Sequence, residues 1–131
     1  MKRFTTIIAI TALLMVGNVF AQGDITFQVD MNVKMQELLF DPTNGSDIVV
    51  VRGNLNGWAG NTEVLANASG GADSVWAGTF TLTDSAAVYK FVMIVTAGEL
   101  WEDAIPNREA DISGGTQTLP VVLFDDDSVV D

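Results

Sequence analysis

Two short stretches of this chain carry groups able to do specific chemistry: GNLNGW, Gly53–Trp58, and ELWEDAIPNRE, Glu99–Glu109. The second sets Trp101 among acids, with Pro106, Asn107 and Arg108 behind it. Carboxylates come first. Glu99, Glu102 and Asp103 lie close together, and carboxyl pairs can cut glycosidic bonds. That reaction needs two carboxyls facing each other across the bond, usually from different elements lining a cleft. Acids this near on one loop more often make a solvated face. A nucleophile is no better supported, because the chain has no histidine and no Gly-x-Ser-x-Gly pattern. The missing histidine also removes the usual metal ligand and the usual base near neutral pH. Asp125-Asp126-Asp127 lacks the spaced acids and glycine of a calcium loop, and successive extended residues point in alternating directions. Catalytic residues, metal and cofactor are therefore all read as absent.

The aromatic residues carry more information. Of three tryptophans, Trp76 falls inside an alternating run in phase with Phe80 and Leu82, a core pattern. Trp58 and Trp101 sit in no such run. One tryptophan on a loop ordinarily caps a core, but two with polar companions suit a flat ligand. An indole matches the C–H face of a pyranose while its N–H edge stays free to donate a hydrogen bond. Two rings at an angle would fit successive units of a curved glucan, with Lys90 and Asn107 reading the hydroxyls. Pro106 stiffens the loop and so lowers the cost of ordering it.

The elements that must position these groups read as strands. In DITFQVDM, Ile25, Phe27, Val29 and Met31 alternate with polar residues. DIVVVRG, 47–53, is nearly continuous in β-branched residues and suits a more central strand. SVWAGTFTL puts Trp76, Gly78, Phe80 and Leu82 on one face; AVYKFVMIV puts Tyr89, Phe91, Met93 and Val95 on one face and Lys90 on the other. QTLPVVLF completes the series, with Pro120 marking an edge or a bulge. Only VKMQELLF, 33–40, suggests a helical turn, stopped by Asp41-Pro42. Turn signals at Asn44-Gly45, Asn56-Gly57, Ser69-Gly70-Gly71 and Gly114-Gly115 separate the runs. The expected fold is an all-β antiparallel sandwich, one domain over 22–131.

Residues 1–21 read as a secretory signal peptide: Lys2 and Arg3, an apolar run, then Val19-Phe20-Ala21 before the cut. Export to the periplasm or beyond the cell is the expectation. Its loss removes two basic residues and no acid, taking the net charge from −11 to about −13. Such a surface repels phosphate backbones and anionic lipid, so no nucleic acid and no membrane partner is expected. Neutral sugars are not repelled. With no cysteine, the exported chain must hold its core without disulfides.

Three blocks in order, VRGNLNGW (51–58), VYKFVM (88–93) and WEDAIPNR (101–108), resemble the starch-binding domains of carbohydrate-binding module family 20. Related glycogen-binding modules share the first two blocks and a following tryptophan. The resemblance spans Ile25 to Phe124. It implies an immunoglobulin-like β-sandwich that binds starch or a related α-glucan without cleaving it, working beside a separate amylolytic enzyme. It also implies that Trp58 and Trp101 stack on glucose units, that Lys90 and Asn107 hydrogen-bond, and that Glu102 adds a further bond. Arg108 would tie the loop to a neighbouring carboxylate. The single tyrosine, Tyr89, falls on the core face, so one sugar site is expected rather than two. The competing expectation is a structural or adhesion sandwich that keeps the fold without the ligand.

Overall fold

The computed structural model describes residues 23–67, 69 and 73–130; the expected signal peptide, residues 1–21, lies outside them. Among the described residues eight strands and one short helix follow each other: β1 (Gly23–Asp30), α1 (Asn32–Gln36), β2 (Ile48–Gly53), β3 (Val75–Leu82), β4 (Ala86–Val95), β5 (Gly98–Trp101), β6 (Arg108–Asp111), β7 (Gln117–Thr118) and β8 (Val122–Leu123). They form two four-stranded sheets packed as an all-β sandwich. In the first, β1 lies between β3 and the β7–β8 segment; in the second, β4 lies between β2 and the β5–β6 segment.

The period-two pattern of β1 lands as expected, with Ile25, Phe27, Val29 and Met31 all sealed from solvent. Opposite them, Trp76 and Leu82 are buried and Phe80 packs on the same core. Tyr89, Phe91 and Met93 face inward from β4, as do Val49 and Val51 from β2. Rings meet edge to face: Phe27 and Tyr89 lie 4.8 Å apart at 74° across the sandwich, and Tyr89 and Phe91 5.6 Å apart at 80° along β4. That is the geometry the ring quadrupole favours.

Two expectations change. The sandwich is not wholly antiparallel, because β7 and β8 both run parallel to β1. Hairpins force antiparallel neighbours, but the chain reaches this edge from β6 of the other sheet, so no hairpin sets its direction. Pro120 stands in the gap that splits this edge into two short strands. The second change concerns β2, which ends its sheet's order rather than lying centrally. Its free edge is covered by residues 63–65, where Val51 N–H donates to Glu63 and Leu65 N–H to Val49. Covered edge and buried faces together explain its unbroken apolar run.

The helix is shorter than its apolar run. It stops at Gln36, and Leu38 then turns left-handed at φ 61 and leaves its side chain 90% exposed. Among the described residues no helix is long and apolar enough to cross a membrane.

Gly53, the last residue of β2, is required by a close approach. A Cβ there would lie 2.1 Å from the Val88 carbonyl oxygen and 2.8 Å from Tyr89 Cα. Gly57 has open space around it, but its φ of +67 is left-handed. Gly53→Ala should therefore lower unfolding stability by about 3 kcal/mol, and Gly57→Ala by about 1 kcal/mol; urea midpoints of the two variants check this ordering. Tyr89 offers a second test. Burial pushes its phenol up to about 12, against a smaller lowering by Arg108 and a smaller raising by Glu102. A phenol raised in the folded state contributes stability below its ordinary value near 10, and loses it as pH climbs through about 12. With one tyrosine in the chain, phenolate absorbance should rise near 12 in the folded protein and near 10 in denaturant.

Candidate functional site

The register of the second sheet decides which residues share a surface. Lys90 pairs with Arg52, and Val92 pairs with both Val50 and Trp101. Lys90 and Val92 point away from the core, as their phase opposite Tyr89, Phe91 and Met93 requires. Arg52, Lys90, Val92, Glu99 and Trp101 therefore lie on one outer face, across three adjacent strands.

Trp101 is half-buried there. The Arg52 guanidinium lies 5.0 Å from its ring centroid, within cation–π range. Arg52 reaches it by passing over β4. Nη1 and Nη2 each donate at 2.9 Å to the Glu99 carboxylate, a bidentate pair across the sheet. Arg52 stands opposite Lys90 and Glu99 opposite Ile94, so this diagonal passes above Val92. Although it faces outward, Val92 has no exposed surface. The pair also sets both charges: hydrogen bonding to Glu99 raises the guanidinium's pKa, and hydrogen bonding to Arg52 holds Glu99 below the usual carboxylate range.

Trp58 comes from the turn that leaves β2 beside this face. Its backbone is left-handed at φ 65, an uncommon state for a bulky residue, and its neighbour Gly57 is left-handed too. Such a state costs about 1–3 kcal/mol and persists only where the surroundings impose it. They do so here. Trp58 N–H donates to Gly53 at 3.0 Å. Asn56 accepts from Gly53 N–H and donates to the Val51 carbonyl, both at 3.0 Å. Asn54 donates to Ala86 at 2.8 Å and accepts from Val88 N–H at 3.1 Å. The turn is held by its own asparagine side chains, and Trp58 is half-buried on it.

Between β5 and β6 the sheet edge is interrupted. β5 pairs with Val92–Val95 and β6 with Ala86–Tyr89, leaving Lys90 and Phe91 opposite the loop 102–107. Lys90 Nζ donates to the Glu102 carbonyl at 2.6 Å, and Phe91 N–H donates to Glu102 Oε1 at 2.8 Å. Asn107 is exposed at the far end of this loop, and its side chain makes no hydrogen bond among the described residues.

Glu102 is corrected. Sequence placed it among the sugar contacts, whereas it has no exposed surface. Its Oε1 accepts from Arg108 Nε at 3.0 Å as well as from Phe91, and its Oε2 accepts from Arg108 Nη2 at 2.5 Å and Asp125 N–H at 2.7 Å. No lone pair is left for a ligand, and none could reach it. The reason is the strand period: Glu99 and Trp101 face out, so Leu100 and Glu102 face in. Arg108 meets a carboxylate, as the sequence suggested, and that carboxylate is Glu102.

The structure thus gathers Lys90 and Trp101 on one face, places Trp58 on the adjoining turn and Asn107 on the adjoining loop, and removes Glu102 to the interior. Arg52 was missed in the sequence, and Glu99 was weighed there only as a catalytic acid. Glu99 shares its face with Trp101 by simple alternation, and Arg52 is the one charge in β2, directly after three valines, so both signals were in the sequence. Among the described residues no group of acids could hold a metal ion. Known proteins supply no assignment: no family model matches the chain, and no curated protein matches it.

Removing one partner of a buried ion pair leaves the other charge stranded. Glu102→Gln should cost about 3–5 kcal/mol of unfolding stability, whereas Asn107→Ala, an exposed side chain without partners, should change it by less than about 0.5 kcal/mol. Chemical denaturation of both variants tests the separation.

Proposed function

We propose that this protein is a non-catalytic binder of starch or a related α-glucan, an immunoglobulin-like sandwich that stacks sugar rings on Trp58 and Trp101. The observation that carries the reading is Trp101 lying half-buried on the outer sheet face that also carries Lys90, next to a turn that holds Trp58 in a strained, hydrogen-bonded backbone. Strain kept at a tryptophan by this many hydrogen bonds suits a side chain whose position matters. Asn107 supplies an unengaged amide at the loop's end, and Lys90 an ammonium that must share its bond to the Glu102 carbonyl. The three-block likeness to family 20 starch-binding domains supports the same site. Of the acids near Trp101, Glu102 is buried and Glu99 is held by Arg52, which leaves the exposed Asp103 without the second facing carboxyl that hydrolysis needs and favours binding. In this reading the protein is exported, stays clear of nucleic acid and membranes, and works beside a separate amylolytic enzyme.

A structural or adhesion role is the second reading, and one observation favours it: both tryptophans are half-buried, and Arg52 already lies over one of them. Retardation in an amylose or glycogen affinity gel separates the two. The expected dissociation constant is about 10 μM to 1 mM, typical of an open, wet groove. Trp58→Ala and Trp101→Ala should each abolish retardation, and Asn107→Ala should weaken it several-fold. Unretarded migration of the wild-type chain with every α-glucan would reject the glucan reading in favour of the structural one.

A further inference from the structure

We propose that Arg52 and Glu99 are positioning residues that fix the plane of the Trp101 indole and lock it to the loop carrying Trp58, so that both rings meet one glucan strand. The proposal rests on the α-glucan reading of this surface and adds two residues to it.

Arg52 is itself a poor sugar ligand. An arginine has five N–H donors, and four of them are already engaged: Nε to the Gly60 carbonyl, Nη1 and Nη2 to Glu99, and Nη2 again to Asn61 Oδ1. Its side chain is 5% exposed, against 49% for that of Glu99. A guanidinium so engaged holds other groups in place.

What it holds are the two halves of the candidate site. Gly60 and Asn61 belong to the segment directly after Trp58, and Glu99 and Trp101 belong to β5. β5 is a four-residue strand, and among the described residues only β4 pairs with it. An indole at the end of such a strand has no lateral restraint from a further strand. The Arg52 plane supplies one, from the opposite side of β4, and Glu99 aims that plane by a two-point carboxylate grip. Arg52 is thus joined to one ring by contact and to the other through its loop. Lysine could not do this, because a point charge neither grips a carboxylate in two places nor presents a flat face.

Freeing an ordered aromatic side chain makes binding pay its ordering cost again. Glu99→Gln keeps the size of the side chain and removes the charge that aims Arg52. Glucan affinity should fall about 3- to 10-fold, and Glu99→Asp should recover part of the loss. Protein labelled with 5-fluorotryptophan gives one fluorine resonance for each of its three tryptophans. In Glu99→Gln and Arg52→Lys the Trp101 resonance should shift and broaden, while the buried Trp76 resonance stays in place as a reading of intact fold. An unmoved Trp101 resonance in both variants overturns the proposal. So does a displaced resonance accompanied by unchanged glucan affinity. Should the wild-type chain bind no α-glucan, the proposed function falls, and the Trp101 resonance alone then decides whether the pair orients the ring.

Discussion

The buried pair of Glu102 and Arg108 is the constraint on which the rest of this sandwich depends. Burying two charges is expensive, and a well-packed apolar pair would often serve stability as well. The location explains why charges are used. At Lys90 and Phe91 the central strand β4 has lost β6 and not yet gained β5, so a backbone donor faces a gap. Glu102 fills it by accepting from Phe91, while also accepting from Asp125 N–H. Arg108 in turn donates to the Leu123 and Asp126 carbonyls, both at 2.9 Å, and its guanidinium lies 5.5 Å from the Phe91 ring centroid. Backbone groups that no strand can satisfy are satisfied by two side chains. The pair ties the second sheet to the last segment of the first.

The outer face repeats the device with a different purpose. Glu99 and Glu102 are three residues apart, on either side of the same short strand end. The inner carboxylate meets an arginine from the following strand and closes the core. The outer carboxylate meets an arginine from two strands away and organises a surface. The tryptophan between them inherits its geometry from both: its backbone is anchored by what lies beneath, and its ring is faced by what lies above. Trp58 is governed by a third arrangement, a turn of asparagine side chains that substitute for backbone partners.

Much of this was legible in the chain. Alternation placed the core residues of β1, β3 and β4 correctly, because one face of each strand must be apolar to pack. It also located Trp76 inside, but it read 99–109 as loop, where the structure has β5 and β6 and puts Trp101 at a strand end. It was not carried one residue further, where Leu100 inward and Trp101 outward already required Glu102 inward. Resemblance to a family suggested a role for that glutamate; the strand period contradicted it. The parallel pairing of β7 and β8 was beyond reach for another reason. Local pattern indicates that a segment is extended, and says nothing of the direction in which a distant partner will lie. The edge position of β2 was hidden similarly, since a strand covered by a neighbouring loop reads like one flanked by strands.

The parallel edge has a consequence for how the chain reaches its final form. Asp24 N–H bonds to Thr116 Oγ1 across 92 positions, and Ile25 pairs with Gln117. β1 therefore finds this neighbour only across a long stretch of chain, with loop closure preceding the contact that rewards it. Until then one margin of β1 is bare, and Arg108 lacks two of the carbonyls it will hold. Closing this margin of the sandwich needs the handful of residues around Pro120, which lie far from β1 along the chain.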